Sequence, residues 1–112
     1  MVKVFEQGDI IYLDFDPQAG HEQKGRRPAL VVSNNVYNHF HNLLIVCPIT
    51  NSDRNFPSHV RLDDRTATTG VIMCDQVRAL DVYSRNGTFA EKAPQDLLDE
   101  VVDQIISFVE IP

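Results

Sequence analysis

Gly20-His21-Glu22-Gln23-Lys24-Gly25-Arg26-Arg27-Pro28-Ala29-Leu30-Val31-Val32-Ser33 joins the chain's densest run of polar chemistry to one of its most apolar short runs. Residues 29–32 are apolar at successive positions and Ser33 follows them, which reads as a central strand buried on both faces. Pro28 fixes its own φ and pushes Arg27 toward an extended conformation. Before it, two glycines bracket His, Glu, Gln and Lys, which reads as an active-site loop running to Arg27. The first part of that loop, residues 16–25, reads as a mobile lid.

The neighbouring segments are strands too. Ile10-Ile11-Tyr12-Leu13-Asp14-Phe15 is apolar, β-branched or aromatic, and Asp16-Pro17 ends it. Leu43-Leu44-Ile45-Val46-Cys47-Pro48-Ile49 is a third strand, with Pro48 expected near its end or at a bulge. His59-Val60-Arg61-Leu62 alternates as a half-exposed strand does, and His59 reads there as an ordinary surface residue. Val71-Ile72-Met73-Cys74 is a further buried strand, and Thr88-Phe89-Ala90 a short edge strand after the Arg85-Asn86-Gly87 turn. Residues 34–38 are turn-like, with room for a short helical turn. Pro94 opens a helix, with Asp96 in its first turn. Leu97, Leu98, Val101, Val102, Ile105, Ile106 and Val109 recur along it at three- and four-residue spacing, an apolar stripe that packs on the sheet. Short strands closed by one amphipathic helix predict a mainly β protein, a small bent sheet or partial barrel.

The 112 residues are read as one domain, 1–112, with a modest core and a size at which dimerisation commonly adds burial. No apolar run is long enough for a transmembrane helix, and the first residues do not read as a signal peptide. Cys47 and Cys74 lie in apolar segments without metal-ligand spacing, which predicts reduced, buried thiols in a cytoplasmic protein rather than a disulfide. A formal net charge of −6 argues against non-specific duplex DNA binding, which needs many Lys and Arg, but allows a local basic pocket. Phosphate-loop, dinucleotide-binding, zinc and nucleophile-elbow motifs are absent from the sequence.

Three polar patches fall at strand ends: residues 21–27; Thr50-Asn51-Ser52; and Asp75-Gln76, with Arg78 and Arg85 downstream. If the three strands are neighbours, these patches converge. Arg27 stands out, because a guanidinium held at a strand start suits a phosphate. Thr50 offers a hydroxyl donor to the same oxygen, and Glu22 a proton acceptor or a partner for Arg27. His21 is a candidate general acid or base. Each has a plainer reading as well: a surface ion pair for the arginine, a turn for Thr-Asn-Ser, a backbone-bonding carboxylate for Asp75. His39 and His41 lack a third ligand nearby and read as loop surface.

On these residues the chain resembles the MazF/PemK family of toxin endoribonucleases over nearly its whole length. The matching blocks are Gly8-Asp9-Ile10, Asp14-Phe15-Asp16-Pro17, Gly20-His21-Glu22-Gln23, Arg27 to Ser33, Pro48-Ile49-Thr50, Gly70-Val71, and Asp75-Gln76-Val77-Arg78 with Asp81. The resemblance implies an SH3-like barrel with a C-terminal helix, the MazF/PemK/CcdB-like fold, assembled as a homodimer. It implies a toxin of a type II toxin–antitoxin system. Such a toxin is a metal-independent endoribonuclease without cofactor that cuts single-stranded RNA, often mRNA, at a short sequence. The implied partner is a MazE-like antitoxin whose acidic tail covers the RNA site.

Arg27 and Thr50 fall on the family's main catalytic pair, and Glu22 on the Glu of its loop motif. His21 and Asp75 match proton-handling residues of the PemK branch. That branch carries Arg two residues before the Asp, where this chain has Met73, which favours the MazF-like arrangement centred on Arg27. Glu22, His21 and Arg27 remain alternatives for the acid and base. Base choice is expected from Asp16, Gln23, Asn51, Asp75, Gln76 and Arg85. Two other classes stay open on sequence: a non-enzymatic CcdB-like gyrase poison, and an SH3-like binding module. The Arg27–Thr50 pair speaks against the first. The second uses aromatic-rich grooves, and this chain has no Trp.

Overall fold

The computed structural model describes residues 4–15, 25–52 and 56–112. Among these, seven strands form a bent, mostly antiparallel sheet: β1 (Asp9–Asp14), β2 (Arg26–Val31), β3 (Leu43–Thr50), β4 (His59–Arg61), β5 (Val71–Met73), β6 (Arg78–Asp81) and β7 (Thr88–Lys92). A short helix α1 (Asn35–Phe40) links β2 to β3, and α2 (Gln95–Val109) closes the chain. Neighbours run β4-β5-β3-β2-β1-β7, with β6 also paired to β3. This is the mainly β, barrel-like fold with a C-terminal helix that the sequence predicts.

β2 and β3 organise the rest. Ala29 pairs with Pro48, Leu30 with Cys47 and Val31 with Val46. Their side chains alternate between two apolar clusters. Leu30, Cys47 and Ile49 join Ile10, Ile72 and the α2 residues Leu97, Leu98 and Val101. Ala29, Val31, Leu44 and Val46 join Ile11, Leu13 and Leu80 on the other face. Both faces are covered, so a strand without polar alternation is the stable choice. Each fully buried Ile, Leu or Val contributes about 1.5–3 kcal/mol.

Several boundaries differ from the sequence reading. β2 begins at Arg26, three residues before the apolar run, because Leu13 pairs with Arg27 and Asp14 with Arg26. Arg27 is therefore a strand residue and not the end of a loop. Pro48 lies inside β3. The strand changes partner there, from β6 at residues 43–46 to β5 at 49–50, so the missing N–H falls at the handover. Residues 78–81, not anticipated as a strand, form β6, and Cys74 belongs to a 3-10 turn (Cys74–Gln76) instead of the end of β5.

Pro94 caps α2, and Asp96 in its first turn accepts from Arg65 Nη1 at 2.8 Å. The α2 stripe packs on the sheet through Leu97, Leu98 and Val101, with Val102 and Ile105 behind them. Its far end runs past the sheet, leaving Ile106 and Val109 exposed. Cys47 and Cys74 are free and buried. Burial raises both thiols, Cys74 to about 11. Among the described residues no helix is long and apolar enough to cross a membrane.

Gly70 locks the end of β3. It adopts φ +114°, and a Cβ there would lie 2.3 Å from the Thr50 carbonyl oxygen. Gly70→Ala is expected to cost about 1–3 kcal/mol, since strain and a backbone clash act together. A urea midpoint equal to that of the parent would show that the junction of β3 and β5 yields easily.

Candidate active site

The β2–β3 register, continued by two residues beyond Ala29–Pro48, sets Arg27 opposite Thr50. Both follow the alternation of Ala29 and Val46, so both point to the side of the Leu13–Val31 cluster, at its rim. Arg27 is exposed. Thr50 is half-buried, and its Oγ1 accepts from the Ser52 amide at 3.1 Å. With that lone pair used, the hydroxyl proton remains to be donated outward. The register, so continued, brings a cation and a hydroxyl donor to the same rim from two strands.

The same rim carries Phe15 and Arg78. Phe15 packs against the cluster, and its amide donates to Gly25 O at 2.9 Å, two residues before Arg27. The Arg78 guanidinium lies over the Phe15 ring, 5.7 Å from its centroid. The sequence pattern placed Arg78 merely downstream of a patch. The signal for it was parity with Leu80, which only the pairing of β6 with β3 makes readable.

Asp14 ties together the place where β1 ends and β2 begins. Its Oδ2 accepts from Asn86 Nδ2 at 2.8 Å, and its Oδ1 from Arg26 Nη1 at 3.4 Å. Arg26 Nη2 also donates to Thr88 Oγ1 at 2.8 Å. Arg85 Nη1 donates to the carbonyls of Asp14 and Phe15, at 3.2 and 2.9 Å. The guanidinium of Arg85, expected to meet substrate, thus holds the backbone leading into the loop.

Asp75 stands in the 3-10 turn with half of its side chain exposed, 3.6 Å from His59 Nε2. The His59 side chain is only 6% exposed, with its ring edge-on to Phe56. It is not the surface residue that the strand pattern suggested. The three-residue β4 folds it under Phe56. Asp75 also borders a cavity of about 350 Å³ with Phe56, Gln104 and Phe108. Asn51 and Gln76 are exposed, and Asn51 Oδ1 accepts from Thr69 Oγ1 at 3.0 Å. His39 and His41 lie on and after α1, exposed, with His41 stacked on Tyr37. Asp16, His21, Glu22 and Gln23 lie outside the described residues. Among the described residues no cluster of His, Cys, Asp or Glu could hold a metal ion.

Comparison with known proteins places these features in a family. The model of the PemK-like, MazF-like toxin of type II toxin–antitoxin systems matches residues 6–109. Endoribonuclease PemK of Escherichia coli is 38% identical over 104 residues, covering 89% of this chain and 78% of PemK. The crystal structure of MazF (Form-I) from Deinococcus radiodurans superposes with a TM-score of 0.86 at 39% identity, over 98% of this chain and all of that one. A MazE–MazF structure (Form-II) from the same organism gives 0.85 at 32% identity, over 99% of this chain and all of that one. The chain belongs to the PemK-like, MazF-like family of type II toxins.

The Asp14 tie has a pH consequence. The Asn86 amide is the largest cause holding this carboxyl below its ordinary range; desolvation opposes it and Arg26 adds to it. A depressed folded-state pKa stabilises the fold above the ordinary carboxylate range, and that contribution is lost as pH falls through the folded value. Asp14→Asn is therefore expected to flatten the loss of urea stability as the pH falls below the ordinary carboxylate range. An unchanged slope would remove Asp14 from the acid response.

Proposed function

We propose that this chain is a cytoplasmic toxin that cuts single-stranded RNA, mRNA above all, at a short sequence. It does so without a metal and thereby stops translation and growth. The observation carrying this reading is the Ala29–Pro48 register of β2 and β3, which, continued by two residues, brings Arg27 and Thr50 to one rim of the sheet. Relatives named endoribonucleases, PemK and MazF of Escherichia coli among them, support the activity.

RNA brings its own nucleophile. The 2′-oxygen attacks the adjacent phosphorus, the bond to the 5′-oxygen breaks, and the products are a 2′,3′-cyclic phosphate and a 5′-hydroxyl. Charge builds on the non-bridging oxygens of the phosphorane. Arg27 and the Thr50 hydroxyl meet that charge as an oxyanion hole does. Glu22 and His21 take the 2′ proton and return one to the leaving oxygen. An arginine guanidinium keeps its charge, so Arg27 acts electrostatically before it acts as an acid.

Asp16, Gln23, Asn51, Asp75 and Gln76 hold bases on either side of the cut. Arg85 acts through the backbone of residues 14–15, positioning the loop instead of touching RNA. The natural inhibitor is a MazE-like antitoxin with an acidic tail, a partner supported by the MazE–MazF structures of the relatives. The protein works as a homodimer, and exposed Ile106, Phe108 and Val109 at the end of α2 are the kind of surface a second copy buries.

Purified protein is expected to cut a long single-stranded RNA in EDTA, leaving 5′-hydroxyl ends. Arg27→Ala should lower kcat/KM by about 100- to 1000-fold, the usual cost of one oxyanion donor. Thr50→Ala should cost less, and both variants should stay folded. Intact RNA, or cleavage by Arg27→Ala at the parent rate, would sink the reading. A requirement for added Mg²⁺ would sink the 2′-hydroxyl mechanism alone.

A further inference from the structure

Arg78 is rooted on β6 opposite Val46 and reaches toward the start of β2. In the β3–β6 ladder Arg78 pairs with Val46, four residues from Thr50, a separation of about 13 Å along the strand. Its side chain leaves the sheet on the face shared by Leu80, Val46 and Thr50. The guanidinium then lies over Phe15, whose amide is bonded to Gly25, beside the start of β2. A guanidinium resting on a ring keeps its N–H edge free, and the edge is what a phosphate takes up. The ring is held in turn by the apolar cluster beneath it and by the Arg85 grip on the Phe15 carbonyl. Among the described residues Arg78 has no carboxylate partner to compete with a ligand.

We propose that Arg78, stacked on Phe15, forms a second phosphate subsite for single-stranded RNA, one that holds a phosphate flanking the one at Arg27 and Thr50. The proposal rests on the endoribonuclease reading above and deepens it. Arg78 is rooted opposite Val46 and not opposite Thr50, so it belongs to a different point of the sheet from the Arg27–Thr50 rim. Arg78 therefore fixes the register of the strand and does not meet the charge that builds at the cut. Phe15 sets the plane of the guanidinium and offers its open edge to a neighbouring base.

The test has two arms. Binding is measured on a mixed-sequence, single-stranded 2′-O-methyl RNA, which cannot be cut by 2′-hydroxyl attack, across a salt series. Cleavage is measured on unmodified RNA, with kcat and KM separated. Arg78→Ala should raise KM roughly tenfold, leave kcat near the parent value, and reduce the slope of log affinity against log salt by about 0.7, one phosphate contact on a single strand. Arg78→Lys should restore the salt slope while recovering only part of the affinity, since it keeps the charge and loses the fork. Phe15→Leu, which keeps an apolar contact with the cluster, should weaken binding by less than Arg78→Ala does. In Phe15→Leu, the further change Arg78→Lys should cost less than in the parent. An unchanged salt slope in Arg78→Ala, or a fall in kcat at constant KM, overturns the subsite. Failure of the parent protein to cut RNA overturns the endoribonuclease reading instead, while the 2′-O-methyl arm still reports on Arg78.

Discussion

β2 runs between two apolar clusters and gives alternate residues to each. Ala29 and Val31 face one and Leu30 the other, and none of the three is reached by solvent. A slip of one residue would exchange the faces of the whole strand. It would bring Leu30 against Leu13 and Val46, and would turn Arg27 toward the side of α2. Burial on both faces is therefore what fixes the register that, continued by two residues, aligns Arg27 with Thr50. The same alternation in β1 and β6 delivers Phe15 and Arg78 to that rim. The placement of the polar groups follows from apolar packing several residues away, and hydrogen bonds at the site only refine it.

Charge follows a similar logic. The chain is acidic overall, and most of its described cations are engaged by acceptors of its own. Arg65 is bound by Asp63 and Asp96, Lys92 by Asp9 and Glu6, Arg26 by Asp14. Arg85 is spent on two carbonyls. Arg27 and Arg78 differ: both are exposed, and among the described residues neither meets a carboxylate. An acidic protein can thus present a confined cationic rim. Such a rim attracts a phosphodiester at short range without the long-range field that would bind any polyanion.

The apolar segments were legible in the sequence because burial writes itself as composition. The runs at 29–32, 43–49 and 71–74 and the stripe of α2 all emerge as elements. Strand ends were not legible, because pairing sets them and composition does not: Arg26 and Arg27 are in β2 only because β1 extends opposite them. Pro48 lies near the end of β3 as expected, but its tolerance depends on a change of partner that no local rule contains. For the site, Arg27 and Thr50 were joined as donors to one phosphate oxygen from residue type and strand-end position, the family resemblance made them a pair, and the β2–β3 register, continued by two residues, agrees with it. Arg78 over Phe15 and His59 beside Asp75 are contacts between segments distant in sequence. No periodicity within one strand encodes them.

On the proposed function the substrate carries its own nucleophile, and that changes what a small fold has to provide. No deep cavity is needed to activate water, and no side chain has to be turned into a nucleophile. What remains is to hold one phosphate rigidly against fixed charge, and two paired strands with covered faces do that at small cost in chain length. Recognition of bases has different needs, because bases differ in edges and not in charge. The exposed residues suited to it, Asn51 and Gln76, sit just beyond strand ends, where burial imposes no alternation. On the proposed function, chemistry and specificity rest on different physical supports in this fold. The first is tied to the core register and tolerates little change. The second stands on turns and loops, where substitution alters which edge is read while leaving Arg27 and Thr50 in place.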